Sequence, residues 1–323
     1  MREDPPMARV TVVGGGVVGL TTALELAVAG HAVQCVRDQP VTDTVSAVAG
    51  GLWFPYHVEP RERVIGWGRA ALVRFEQLAS DPASGVVLRE GMIVERGPAD
   101  RWWTQGLPSW RDAGTAELPA GATGGVVATV PLVTMPVFLP WLENRCAEAG
   151  VALVQAHVDD LDDLDADVVV VAAGLRSGAL VDDDSGMPSR GQVALLENPG
   201  LTNWLVDGDH PDGMVYVLPH PGWVVCGGTD VSGSWDTEPD PAVHEAIVRR
   251  VRAVVPELAT ARVLGARVGL RPVAVEVSLT ASDVGGRRVV TNHGHGGAGV
   301  TLSWGCAQEV VRLVTGDEAV SSS

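Results

Sequence analysis

Val10-Thr11-Val12-Val13-Gly14-Gly15-Gly16-Val17-Val18-Gly19 decides the architecture of this chain. A β-branched apolar run leads straight into Gly-x-Gly-x-x-Gly and then into an apolar helical pattern. That order suits a first strand, tight turn and helix receiving the pyrophosphate of a dinucleotide. Gly14 permits the turn, Gly16 lets the backbone approach the phosphates, and Gly19 lets helix and strand pack closely. Phosphate oxygens then meet the unpaired N–H groups around Val17 and Val18 and the positive end of the helix dipole.

Working outward, Val18, Leu20, Ala23, Leu24 and Ala27 form the apolar stripe of a helix over about 17–29, closed by Gly30. Residues 32–36 read as the second strand. An acidic residue about 20 positions past the glycines takes ribose hydroxyls in such a fold, which makes Asp38 the candidate. Arg37 beside it reads as a solvated surface residue ahead of an adenine contact. In Ala49-Gly50-Gly51-Leu52-Trp53-Phe54-Pro55-Tyr56, two adjacent glycines inside an apolar run mark either close approach to something flat or a tight packing corner.

Helices are expected over about 64–78, 137–149 and 241–255, and a last one running to about 314. Strands are expected at 151–154, 167–171, 263–268 and 288–291, with a hairpin of 214–218 and 223–226. Residues 82–140 are rich in Trp, Gly and Pro, with short β-like runs at 86–88 and 92–94. They read as a sheet-rich region inserted into the first domain. This alternation predicts an α/β chain (α+β overall) of two interleaved domains.

Composition narrows the function. The chain has 323 residues, 46% hydrophobic and 20% charged, as a globular protein does. A net charge of −17 leaves no basic stripe for nucleic acid and disfavours an anionic membrane surface. All 23 basic residues are arginines, which excludes a lysine Schiff base, a P-loop and a lysine general base. Cys35, Cys146, Cys226 and Cys306 stand far apart without a C-x-x-C pair. They suggest thiols in a reducing compartment, although spacing leaves pairing open. The charged start Met1–Pro6 lacks a signal-peptide pattern, and Ser321-Ser322-Ser323 is not a peroxisomal address. A cytoplasmic protein is expected. His293 and His295 lack neighbouring ligands for a metal shell, and Asp182-Asp183-Asp184 reads as a solvated turn, so no metal is expected.

Four segments in order carry a family resemblance: the glycine fingerprint, residues 49–56, Gly269-Leu270-Arg271-Pro272, and Asn292-His293-Gly294-His295-Gly296-Gly297-Ala298-Gly299 with the helix that follows. Together they resemble the D-amino-acid oxidase and glycine oxidase group of FAD enzymes, over about residues 8–314. The resemblance implies a Rossmann-like FAD-binding domain (1–76, 141–185 and 262–323) interleaved with a sheet-rich substrate-binding domain (77–140 and 186–261). It implies that Gly14, Gly16, Val17, Val18 and Gly19 hold the FAD pyrophosphate, and Asp38 or Arg37 the adenosine. Thr44, Val45, Ser46, Gly51 and Leu52 would run along the flavin, with Gly296, Gly297, Gly299 and Val300. Val158 would contact adenine, and Thr301 the pyrimidine edge of the flavin.

Arg271 matches the arginine that pairs with a substrate carboxylate, Tyr216 the tyrosine supporting it, and the Gly297 carbonyl an acceptor for the amine. A planar, permanently charged guanidinium suits a carboxylate; the plainer reading of Arg271 is a structural pair with an internal Asp or Glu. Tyr216 is one of two tyrosines, and its plainer reading is an aromatic filling a strand face. The implied reaction is oxidative deamination of a D-amino acid, by hydride transfer from Cα to flavin N5 and with dioxygen as the oxidant. A 2-oxo acid, ammonia and hydrogen peroxide are its products. Phe54 and Asp230 lie where side-chain preference is set. Asp230 follows Gly-Gly-Thr, where D-aspartate oxidases tend to place arginine, and so favours neutral or basic substrates. The short Pro211-Asp212-Gly213 lacks the family's lid tyrosine, and Ala298 replaces a frequent aromatic. The alternatives are a glycine or sarcosine oxidase, a D-aspartate oxidase, a dehydrogenase passing electrons to a carrier, and a non-catalytic flavin-binding module. A monomer or homodimer is expected.

Overall fold

The computed structural model describes residues 7–316; the readings of Met1–Pro6 and Ser321–Ser323 lie outside the described residues. Six strands form one sheet in the order β14-β15-β7-β1-β2-β6. They are β1 (Arg9–Val13), β2 (Ala32–Arg37), β6 (Ala152–Gln155), β7 (Val168–Val171), β14 (Ala281–Val284) and β15 (Arg287–Thr291). All pair in parallel except β14 with β15. The four valines of β7 are all buried, as expected of a parallel strand covered on both faces.

The helices are α1 (Val17–Val28), α2 (Val45–Val48), α3 (Arg61–Leu78), α4 (Met135–Glu148), α5 (Ser177–Leu180), α6 (Pro241–Val254) and α7 (Gly299–Thr315). On one side of the sheet α1 packs on α7, where the Thr21 hydroxyl donates to the Ser303 carbonyl at 3.3 Å. Gly305 lets α7 touch α3: a Cβ there would lie 2.1 Å from the Trp67 carbonyl oxygen. The other side is covered by residues 158–181, whose Leu161, Leu164 and Leu180 pack over Val13, Val36, Val169 and Val171.

The remaining strands make a ten-stranded sheet, β16-β13-β8-β11-β10-β9-β3-β5-β4, with β12 alongside β8. They are β3 (Val86–Glu95), β4 (Arg111–Asp112), β5 (Gly124–Val133), β8 (Met187–Glu197), β9 (Trp204–Asp207), β10 (Val215–His220), β11 (Trp223–Gly227), β12 (Val231–Ser232), β13 (Val263–Ser278) and β16 (His293–His295). The amphipathic α6 lays Ile247, Val248 and Val251 on its far face, against Leu196, Val217 and Cys226. Asp240 caps that helix by accepting from Ala242 N at 2.8 Å and Val243 N at 3.3 Å, with Pro241 opening it.

Two elements run further than their patterns predict. The runs at 86–88 and 92–94 are a single strand, and Gly91 between them makes room for Trp204 rather than breaking it. The strand expected at 263–268 continues through Gly-Leu-Arg-Pro to Ser278. Residues 263–278 therefore pair in the larger sheet, beyond the boundary at 262 drawn from sequence, and the six-stranded sheet resumes at Ala281.

Candidate active site

One cavity of about 680 Å³ starts at the C-terminal ends of β1, β2 and β7 and reaches the larger sheet. That position is where open parallel sheets bind ligands. Gly14 takes φ +132°, and a Cβ there would sit 2.2 Å from the Ala172 carbonyl oxygen. Gly16 begins α1 without a side-chain cap, and Ser46 Oγ accepts from Val17 N at 3.0 Å. Gly19 is not a wall residue; its missing Cβ lets α1 lie on the Gly14 backbone. Val17, Val18, Thr44, Val45, Ser46, Gly51 and Leu52 all line the cavity. At Gly50 and Gly51 the packing-corner reading has physical support: added Cβ atoms would meet Leu218 and the Val133 carbonyl oxygen.

At the β2 end, Arg37 is not a solvated residue. Its guanidinium pairs with the Glu143 carboxylate of α4, both side chains about 20% exposed. Asp38 and Val158 line the cavity, and Arg176 joins them: it donates to Asp38 Oδ2 at 3.0 Å and to the Val158 carbonyl at 2.8 Å.

Arg271 and Tyr216 lie together at the opposite end. Ile93, Val206, Tyr216 and Gly227 stand in one register row across β3, β9, β10 and β11. The ring of Tyr216 lies over Gly227 and Gly228, where added Cβ atoms would fall 1.8 and 2.8 Å from it. Arg271 likewise lies over Gly191 of β8, within 2.7 Å of such an atom. Glycine floors thus lay two large polar side chains flat on the sheet. Burial pushes the Tyr216 hydroxyl above the usual phenol range, opposed by the charge of Arg271, so it stays protonated and can donate.

Arg271 donates to the Thr229 carbonyl at 3.2 Å, and Asp230 Oδ1 lies 3.8 Å from it. The structural-pair reading of Arg271 is therefore partly realised, with the guanidinium still on the cavity wall. Asp230 is not a wall residue. It accepts from Tyr56 at 2.9 Å and from Ser189, and His57 Nδ1 lies 3.1 Å away. Led by the His57 contact, these neighbours hold its carboxyl well below the ordinary range. Phe54 lines the cavity, edge-on to Trp103. Thr301 does not: its hydroxyl donates to the Phe54 carbonyl and accepts from Phe54 N, both at 3.0 Å. The Thr301 hydroxyl thus braces the Phe54 segment.

Gly296, Gly297, Gly299 and Val300 close the far wall, where α7 also begins without a side-chain cap. Gly297 packs on Tyr56, and Gly296 on the His57 carbonyl. His293 and His295 line the cavity while buried, which lowers both, His295 to about 3. Tyr56, Ser189 and Arg176 carried no role in the sequence. The scarcity of tyrosine that singles out Tyr216 applies equally to Tyr56; nothing local marks the other two.

The sequence model of the FAD dependent oxidoreductase family matches residues 9–313. The D-amino-acid oxidase of Streptomyces coelicolor is 46% identical over 318 residues, covering 97% of this chain and 98% of that one. That of Rubrobacter xylanophilus is 43% identical over 312 residues, covering 95% and 96%. The crystal structure of glycine oxidase from Geobacillus kaustophilus superposes with a TM-score of 0.81 at 20% identity, covering 97% of this chain and 96% of that one, a likeness of fold. With its glycine-built cavity and a match across nearly its whole length, this chain belongs to the FAD dependent oxidoreductase family.

Proposed function

We propose that the protein oxidatively deaminates D-amino acids with neutral or basic side chains. The observation that carries this reading is the pair Arg271 and Tyr216, laid on glycine floors in the wall of a cavity that fits FAD. The fit rests on two helix N-termini facing one space, at Gly16, where Ser46 Oγ takes the Val17 N–H, and at Gly299, which has no side-chain cap. A bare flavin carrier has no use for a carboxylate clamp. The segments Gly14–Val18 and Thr44–Ser46 would hold the pyrophosphate and flavin chain, Asp38 and Val158 the adenosine, and the residues around Gly51 and Gly297 the ring.

FAD, when bound, supplies the acceptor for the hydrogen and electron pair that leave Cα. Arg271 takes the substrate carboxylate through parallel N–H donors, Tyr216 donates a further bond to it, and the Gly297 carbonyl accepts from the amine. Alignment replaces a side-chain base. The imino acid hydrolyses to a 2-oxo acid and ammonia, and dioxygen is reduced to hydrogen peroxide. Asp230 lies behind Arg271, off the cavity wall, so its charge opposes an acidic substrate side chain only at longer range; this weighs against the D-aspartate alternative. Among the described residues no helix is long and apolar enough to cross a membrane; four buried free cysteines support a cytoplasmic setting.

The test is the visible spectrum under anaerobic conditions. D-alanine should bleach the flavin and L-alanine should not. Glycine or sarcosine bleaching it faster than any larger D-amino acid would favour the glycine oxidase alternative. Arg271→Ala should lower kcat/KM by the equivalent of about 2–5 kcal/mol, and an unchanged value would remove the clamp.

A further inference from the structure

Arg176 stands outside the fingerprint and outside the substrate clamp, yet it lines the cavity. It belongs to the turn after β7, and its partners lie after β2 and after β6. In the sheet, β1 lies between β7 and β2, and β6 lies beyond β2. With strands about 4.8 Å apart, β7 and β2 are about 10 Å apart, so the side chain spans the ends of several strands. One guanidinium thus holds Asp38 Oδ2 at 3.0 Å, the Val158 carbonyl at 2.8 Å and His157 Nε2 at 3.0 Å. The same Nε2 lies 3.0 Å from Asp159 Oδ1, so it serves either the guanidinium as acceptor or that carboxylate as donor, not both. Arg176, Asp38 and Val158 all line the cavity.

We propose that Arg176 is a latch over the adenosine end of the FAD site: a positioning residue that fixes the Asp38 carboxylate and ties two loops together across the bound nucleotide. This deepens the proposed function and rests on its placement of adenosine at Asp38. The hydrogen bond uses Oδ2, and among the described residues Oδ1 has no partner, so one oxygen is available to ribose hydroxyls while the other is clamped. A planar fork suits this three-way contact; an ammonium cannot span it. The pair is more than a third exposed on both sides, so part of the latch is screened by salt.

Holoenzyme is diluted stepwise and released FAD is read by its fluorescence; ADP, which carries the adenosine and no flavin, is then titrated in as a competitor. Arg176→Ala should weaken FAD by roughly tenfold, the loss expected for a charge-assisted contact. ADP should weaken by the same factor. Arg176→Lys should fall between the two, and it carries the test alone if the alanine variant does not fold. The wild type should lose more FAD affinity than Arg176→Ala between 50 and 500 mM NaCl (about 14 and 4 Å of screening length). Unchanged FAD affinity in both variants, or a loss for FAD without a loss for ADP, overturns the latch. Wild-type protein that ADP cannot compete with removes the adenosine placement itself, a separate failure.

Discussion

Four groups face the Asp230 carboxylate, on β13, β8 and the segment after Pro55: Arg271, Ser189, Tyr56 and His57. A carboxylate so depressed stabilises the fold above the unfolded value near 4 and loses that stabilisation as pH falls through its folded value. Asp230→Asn should therefore lower the thermal midpoint at neutral pH, with the gap to wild type closing only below about pH 4. A gap constant down to pH 2 would show that the charge is not what matters. The same variant should raise kcat/KM for D-aspartate relative to D-alanine, because the repulsion beside Arg271 is gone. The sequence singled out Asp230 for substrate preference, but its partners were not legible. Ser189 and Tyr56 reach it from distant parts of the sequence, and only the pairing of β8 with β13 brings Ser189 opposite Arg271.

At the scale of elements, small residues were read as punctuation and several are spacers. Gly269 and Pro272 suggested the end of a strand, but β13 passes through both, with Gly269 opposite Gly191 and Pro272 opposite Pro188. Gly191 owes its identity to the guanidinium above it. Gly191→Ala should raise KM for D-alanine while leaving the spectrum of bound FAD unchanged, since the obstruction meets the mobile end of Arg271. Gly305→Ala meets the Trp67 backbone instead, which cannot step aside. Forcing α3 from α7 should cost about 1–3 kcal/mol in urea unfolding. The first strand, helix and second strand were readable because periodicity and a local glycine code agree there. The length of β13 was not, since its glycines answer to side chains on another strand.

For the whole molecule, a buried histidine ties the larger sheet to the loop at Gly50 and to the start of α4. His220 on β10 contacts the Thr134 hydroxyl at 3.1 Å and the Gly50 carbonyl at 3.0 Å. Burial lowers it to about 4, and His295 to about 3. Both are neutral when folded and bind protons when unfolded below about pH 6.5, so stability should fall as pH drops from there. The slope per histidine should approach about 1.4 kcal/mol per pH unit. Thermal unfolding from pH 8 to 4 checks this: a midpoint flat through pH 6 to 4.5 would refute it. The interleaving of the two sheets was visible in the alternation of patterns, but where they meet depends on long-range pairs no local window contains.

Thr21 and Ser303, joined across the α1–α7 contact, are 282 positions apart. That separation sets an order of assembly. On a ribosome, the glycine turn emerges first and must wait until α7 has been made before its helix gains its neighbour. At roughly 5–20 residues per second, the nascent βαβ unit spends many seconds half-covered, with no closed crevice to retain a nucleotide. Cofactor uptake is then a late event that locks a nearly finished chain, and nascent chains stalled before residue 299 should emerge colourless.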